Sequence, residues 1–168
     1  EQALLKLNAT LKRAETDFYK VKPQKEGAKE KWIFPVENYN YKSIGGRNGS
    51  GYIVSKFDFF DYSKPGGHPA HDIFIRDKNQ DCLDDITLHP VGILSVTSGI
   101  VLSVENNWTP DSVWKGGKYI YVYDPNQHSI FYYAHSDTVF VRPGDIVDPG
   151  TLLAYMGRTG VNANAQRS

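Results

Sequence analysis

The sequence predicts a mainly β protein, a small antiparallel barrel or sandwich with one helix at its N-terminal end. Eleven Tyr, eight Phe and three Trp are typical of strands, and fifteen Gly and nine Pro supply turns between them. With 168 residues, the chain is long enough for one domain and an extension. Short apolar pieces interrupted by glycine recur near the C-terminal end, as in Gly144-x-x-Val147-x-x-Gly150-x-x-Leu153.

Helical spacing of apolar residues marks the start of the chain. The pattern consists of Leu4, Leu7, Leu11 and Ala14. It predicts an amphipathic helix over about residues 2 to 18, which we expect to pack against the domain or to offer a possible partner site. A membrane-surface helix fits less well, because the apolar stripe is narrow and has no aromatic residue before Phe18.

The domain boundary is placed at a change in composition. Residues 21–31 are rich in Lys, Gly and Pro and are interpreted as a linker. Residues 1–31 are therefore predicted to form an extension. The β domain is predicted to occupy residues 32–168, beginning at the apolar run Trp32-Ile33-Phe34.

Apolar segments separated by turn residues predict the strands of this domain. Residues 93–96 and 100–104 are interpreted as two short strands joined tightly at a Ser-Gly turn. Residues 119–123 and 130–134 predict a hairpin closed by an Asp-Pro-Asn-Gln turn.

The charge and cysteine content exclude several classes of function. Nineteen basic and nineteen acidic residues cancel, so no bulk charge favours nucleic acid or an anionic membrane as a partner. Cys82 is the single cysteine, which excludes an internal disulfide and a cysteine-based zinc cluster. No apolar run approaches the roughly 18 residues of a transmembrane segment.

An acidic stretch over residues 77–85 has alternate oxygen-bearing side chains that faintly resemble a calcium loop. The glycine and the closing glutamate of an EF-hand are missing, so a solvated loop is the favoured interpretation.

The stretch from Gly66 to Ile75 places two histidines and a carboxylate within five residues, followed by an apolar segment interpreted as a buried strand. On a regular strand, His68 and Asp72 would lie about 13 Å apart. Zinc bonds are only about 2 Å long, so a shared ion requires a helical turn or a sharp bend between the two. Pro69 favours the bend. A glycine and proline turn with incidental surface histidines is the alternative.

Two further motifs follow in order: Tyr133-Ala134-His135, and then Gly144-Asp145-x-Val147-x-x-Gly150 with Gly157-x-Thr159-Gly160. With these, residues 32–168 resemble the lysostaphin/LytM-type zinc metallopeptidases, which cut peptides in bacterial cell walls and share the duplicated hybrid motif fold. The resemblance implies that His68 and Asp72 are zinc ligands and that His135 is an active-site histidine.

The sequence departs from this family in one large respect. It contains no His-x-His motif, which in the family supplies another zinc ligand and a second catalytic histidine. Catalytic zinc normally has three protein ligands, and His71, His89 and His128 are not natural replacements. We expect that the chain ends before the motif, that the complete protein has it, and that this chain alone is inactive. Two smaller departures are His68-Pro69-Ala70-His71-Asp72, where the family usually has His-x-Gly-hydrophobic-Asp, and Ser136 in place of a common Leu.

The resemblance implies a zinc-dependent endopeptidase that hydrolyses peptide cross-links or bridges of peptidoglycan outside the cytoplasm. A degenerate domain that binds wall peptides or activates a partner hydrolase is the alternative, supported by the missing motif. A carbohydrate-binding β module, suggested by the aromatic content, is a third interpretation.

Overall fold

The computed structural model describes residues 2–23, 31–46, 51–54, 67–161 and 163. It confirms a mainly β chain with an N-terminal helix. No helix within the described ranges is long and apolar enough to cross a membrane. A 3-10 turn covers Tyr41–Ser43. The main elements in chain order are α1 (Gln2–Val21), β1 (Gly92–Leu94), β2 (Gly99–Glu105), β3 (Lys118–Asp124), β4 (Ser129–Val139), β5 (Ile146–Val147) and β6 (Leu152–Met156).

The six strands form one antiparallel sheet in the order β1-β6-β4-β3-β2-β5. The register shifts within the β1/β6, β2/β3, β3/β4 and β4/β6 pairs, which places an irregularity or bulge in each. Because bulges bend strands and increase their twist, the sheet curves into a half-barrel. The fold-class prediction is therefore confirmed in its barrel form.

The predicted tight pairing of β1 with β2 is wrong. β1 lies at one edge of the sheet and pairs with β6, whereas β2 pairs with β3 and β5. The connection between them bonds elsewhere, because Ser95 N donates to Thr151 O and Gly150 N donates to Ser95 O, each at 2.9 Å. In addition, the Thr97 hydroxyl donates to the carboxylate of Asp124, the last residue of β3. Through these contacts the chain passes from β1, at one edge of the sheet, to β2 near the other edge, so that β1 and β2 do not form a hairpin.

The predicted hairpin between β3 and β4 is present, and β4 is longer than expected. Asp124 pairs with Ser129, and the Asp124 carboxylate accepts hydrogen bonds from the backbone N–H groups of Asn126 and Gln127. This arrangement is typical of an aspartate that stabilises a turn. Because β4 continues to Val139, His135 lies inside the strand and not at its end.

The two faces of the sheet have different neighbours. Ile120 and Val122 point into the main core with Leu153, and all three are fully buried. The opposite face, at Ile100 and Tyr123, packs against Ala14 and Phe18 of α1. The helix therefore packs on this face of the sheet. It ends three residues beyond its predicted end. Its last residue, Val21, is the first residue of the predicted linker, and residues 24–30 of that linker lie outside the described ranges.

Residues 32–36 lie against the same sheet. The Trp32 ring meets Phe131 edge-to-face at 5.3 Å between ring centroids, and Ile33 N donates to Val96 O at 3.1 Å. Val36 forms a bridge with Ile93 of β1. The start of the domain is thus held on the sheet by both packing and backbone hydrogen bonds.

The acidic stretch is folded back on itself. The carboxylate of Asp77 accepts hydrogen bonds from the N–H groups of Asp81 and Cys82, and that of Asp81 accepts one from Leu83. Asp84 is 1% exposed, which corrects the prediction of a loop solvated throughout. It accepts hydrogen bonds from the Tyr39 hydroxyl, the Arg76 guanidinium, and the backbone N–H groups of Ile86 and Thr87.

Candidate metal centre and active site

The bend predicted between His68 and Asp72 is present. His68 pairs with Ile53 through backbone hydrogen bonds, whereas Asp72 O accepts one from Gly45 N at 2.7 Å. The chain bends at Ala70, between these two anchor points. As a result, the His68 and Asp72 side chains converge, with Nε2 and Oδ1 3.4 Å apart.

This separation fits two ligands of one zinc ion. Two bonds of about 2.0–2.1 Å that meet near the tetrahedral angle place their ligand atoms about 3.3–3.4 Å apart. The same distance is long for a direct N–H···O hydrogen bond, which normally ends at about 3.2 Å. Both side chains are about half exposed, at 45% and 50%, so an ion from solvent can reach them.

The orientation of the His68 ring also suits a metal ligand. Its Nδ1 lies 3.0 Å from the carbonyl oxygen of Gly51. A carbonyl only accepts hydrogen bonds, so Nδ1 carries the proton and the lone pair of a neutral ring lies on Nε2. Metal-binding histidines commonly donate their other ring nitrogen in this way.

The described residues supply only two ligands at this position. No group of three or more His, Cys, Asp or Glu side chains that could hold a metal occurs among them. His71, expected to be a bystander, is exposed and its ring lies 5.5 Å from that of Tyr52. The donor set therefore fits part of a catalytic zinc site and lacks a third protein ligand within the described ranges.

The segment after Asp72 corrects the predicted buried strand. Ile73 makes a single bridge with Ile44, and Phe74 is 59% exposed. The Phe74 ring lies against Gly45, where an added Cβ would be 2.2 Å from the ring. Among the described residues this stretch forms no strand, and Ile73, Phe74 and Ile75 are exposed or only partly buried.

His135 occupies a bulge in β4. Lys118 pairs with Ser136 and Ile120 with Tyr133, so Ala134 and His135 together face Tyr119 alone. His135 has a φ of +61°, a left-handed conformation that is uncommon for residues other than glycine. Bulges re-aim side chains and collect near active sites. Such strained residues also concentrate at functional positions.

Two hydrogen bonds hold His135 in this conformation. Its backbone N–H donates to Gly116 O at 2.9 Å, and its Nδ1 lies 2.7 Å from the carbonyl oxygen of Thr159. Because the carbonyl is an acceptor, Nδ1–H is the donor and Nε2 retains its lone pair. The ring therefore presents a proton acceptor at Nε2.

The tyrosine of the Tyr-x-His motif has a structural contact. Tyr133 is 8% exposed, and its hydroxyl accepts a hydrogen bond from Val96 N at 3.0 Å. Burial raises the pKa of this phenol above its usual value. Tyr133 thus connects β4 to the segment between β1 and β2 by a hydrogen bond, whereas His135 of the same motif bonds to Gly116 and Thr159.

Sequence reasoning missed the residues that support His135. In the sequence, Thr159 and Gly160 stand out only as part of a family motif, and Gly116 and Gly117 belong to none of the motifs. Their roles depend on hydrogen bonds between residues far apart in the chain. Two clefts, of about 380 Å³ and 240 Å³, lie beside Arg76 instead, and neither is lined by His68, Asp72 or His135.

Comparison with known proteins gives one family. The model of peptidase family M23 matches residues 86–167, a segment that contains His135 and Thr159 but not His68 or Asp72. A crystal structure of a protein from Ruminococcus gnavus that carries the name glycyl-glycine endopeptidase lytM is 37% identical over 43% of this chain. The alignment covers 26% of that protein, with a TM-score of 0.36. No curated protein matches the sequence.

Proposed function

We propose that the protein is a zinc-dependent endopeptidase that hydrolyses peptide cross-links or bridges of bacterial peptidoglycan, and the match of residues 86–167 to the model of peptidase family M23 supports this proposal. The observation that carries the zinc dependence is the His68–Asp72 pair, whose 3.4 Å separation suits two ligands of a single tetrahedral ion. Peptidoglycan lies outside the cytoplasm, and we therefore place the protein there. One cysteine is compatible with such a compartment.

His68 Nε2 and Asp72 Oδ1 would hold the zinc, with a third ligand that the described residues do not supply. When bound, zinc polarises a peptide carbonyl and activates water at neutral pH. The carbonyl of Gly51 keeps the His68 lone pair on Nε2, the nitrogen that faces Asp72. Half exposure of both side chains leaves room for a substrate to approach.

His135 is the proposed catalytic residue. In the tautomer set by Thr159, its Nε2 accepts a hydrogen bond from the attacking water and takes the water's proton as the peptide carbonyl is attacked. Once Nε2 is protonated, the ring carries a positive charge that stabilises the negative charge developing on the carbonyl oxygen. The bulge and the left-handed φ of His135 support this role, because they fix the direction in which the ring points.

The test combines the complete protein, zinc and purified peptidoglycan, and measures the release of soluble fragments and new amino groups. His135→Asn is expected to lower the rate about 10²- to 10⁴-fold, the usual contribution of general acid–base catalysis. His128→Asn is the matched control, since His128 also has a left-handed φ, at +48°, and is exposed in the β3–β4 turn. Asparagine tolerates this conformation better than most residues.

The outcomes separate the alternatives. Cleavage that persists after chelation, or that is unaffected by His68→Ala, contradicts a zinc endopeptidase. Wall binding without cleavage favours a degenerate domain that binds peptides or activates a partner hydrolase. Binding to glycan strands that persists after chelation favours a carbohydrate-binding module.

A further inference from the structure

We propose that Thr159 is a positioning residue for His135: its carbonyl selects the tautomer of the histidine, and its hydroxyl holds that carbonyl in place. The proposal rests on the proposed function in one respect, the catalytic use of His135 Nε2. The selection of the tautomer itself follows from contacts within the folded chain.

The carbonyl of Thr159 determines which ring nitrogen carries the proton. His135 Nδ1 lies 2.7 Å from Thr159 O, a short distance for a nitrogen donor and a carbonyl acceptor. In a neutral imidazole one nitrogen donates and the other accepts. A proton on Nε2 would turn two lone pairs towards each other at 2.7 Å, so this hydrogen bond disfavours that tautomer.

The hydroxyl of Thr159 fixes the carbonyl to both strands of the bulge. Oγ1 accepts a hydrogen bond from Lys118 N of β3 at 2.9 Å and donates one to Ser136 O of β4 at 2.7 Å. Lys118 and Ser136 are themselves paired residues at the edge of the bulge that contains His135. Thr159 is therefore hydrogen-bonded to the same part of the sheet that contains His135. This attachment keeps Thr159 O within hydrogen-bond distance of His135 Nδ1.

Two glycines close the space around Thr159. A Cβ on Gly117 would lie 2.3 Å from the carbonyl carbon of Thr159, and one on Gly160 would lie 2.9 Å from His135 Nδ1. Both have positive φ, +62° and +103°, which favours glycine in its own right. A side chain at either position would therefore displace the Thr159 carbonyl or the His135 ring, so both glycines are needed for this contact.

A purely structural role for Thr159 would also join β3 and β4, but it would leave the tautomer of His135 unaffected by the hydroxyl. The decisive readout is therefore the protonation of the two ring nitrogens, which ¹⁵N NMR of histidine-labelled protein distinguishes directly. His135 is assigned by difference with a His135→Asn chain. His128 serves as an internal control, because its Nδ1 faces the Tyr123 hydroxyl at 3.5 Å, a group that can donate or accept.

We expect wild-type His135, while neutral, to show a protonated Nδ1 and an unprotonated Nε2. Thr159→Ser keeps the hydroxyl and is expected to give the same spectrum. Thr159→Val removes it and is expected to give a mixture of tautomers, with His128 unchanged. If the valine chain does not fold, Thr159→Ala replaces it, because the smaller side chain leaves room for water to bond the freed groups of Lys118 and Ser136.

An Nε2–H tautomer in the wild-type protein overturns the proposal, and so does an Nδ1–H tautomer that persists unchanged in the folded valine or alanine chain. These measurements need neither zinc nor substrate. A failure of the peptidoglycan assay therefore leaves the tautomer result intact, and a failure of the tautomer result leaves the proposed peptidase activity standing.

Discussion

The hydroxyl of Tyr133 accepts a hydrogen bond from the backbone N–H of Val96 at 3.0 Å, and this contact connects the middle of β4 to the segment between β1 and β2. This segment does not form a hairpin turn, because β1 and β2 pair with other strands and not with each other. A single buried hydroxyl thus helps to determine where the chain crosses the sheet.

Removal of that hydroxyl is expected to destabilise the fold. Tyr133→Phe leaves the partly buried Val96 N–H without this acceptor, and an unsatisfied buried donor typically costs about 1–3 kcal/mol. Urea unfolding at pH 7 measures the change in the free energy of unfolding. Tyr41→Phe is the control, because Tyr41 is 70% exposed, and its effect should stay within about 0.5 kcal/mol. Equal stabilities of the two variants would contradict the assigned role of Tyr133.

Zinc binding by the complete protein should distinguish two histidines that are close in sequence. His68→Ala removes one of the two converging ligand atoms, and we expect zinc affinity to fall by more than the roughly 10- to 100-fold seen when outer-shell partners of a metal are lost. His71→Ala should leave the affinity unchanged, because the ring lies beside Tyr52. Competition with a chromophoric chelator measures both. The assignment is wrong if the two variants bind zinc equally well.

Stability should depend on pH through Asp84. The Tyr39 hydroxyl, followed by backbone N–H groups and Arg76, holds the pKa of this carboxyl well below its usual value. In the unfolded chain the pKa is about 3.9. Since the folded-state pKa is the lower one, the stabilisation is complete above the unfolded-state pKa and is lost as the pH falls through the folded-state pKa.

Asp84→Asn removes this ionisation with little change in shape. We expect the variant to be less stable than the wild type at pH 7, and the difference to shrink as unfolding is measured at successively lower pH, from 5 to 2. Asp111→Asn, at an exposed aspartate, provides the control. Parallel stability curves for the wild type and Asp84→Asn would show that Asp84 does not have this role.

The packing of α1 on the sheet should depend on Phe18. This side chain is 2% exposed and belongs to one buried cluster with Ile100 and Tyr123, so Phe18→Ala removes the largest fully buried side chain between the helix and the sheet. A buried Phe→Ala change costs about 3–5 kcal/mol. Leu5→Ala lies on the same helix with Leu5 at 64% exposure and should have little effect. Hydrogen exchange of the helix amides provides the measurement, with faster exchange expected only for the Phe18 variant. Unchanged protection in both would mean that the helix does not depend on this contact.

Local pattern was sufficient to predict several parts of the molecule. The helix, the β3–β4 hairpin and the bend between His68 and Asp72 each depend on residues that are neighbours in the chain, and all three are present. The order of short motifs also indicated the peptidase family, because the motifs are contiguous pieces of sequence.

Other features were decided by residues far apart in sequence. The partner of β1 is β6, Asp84 accepts a hydrogen bond from Tyr39, which lies 45 positions away, and Phe74 is exposed. None of these leaves a periodic signal, since an alternating segment has the same pattern whichever strand it pairs with.

The sequence by itself determined a β domain with an N-terminal helix, and named His68, Asp72 and His135 as the residues to examine. Only the tertiary structure decided how the first two converge to 3.4 Å and that the carbonyl of Thr159 meets His135 Nδ1. The physical reason is that residue types can be read directly from the sequence, whereas a distance or a tautomer depends on which backbone groups the folded sheet brings together.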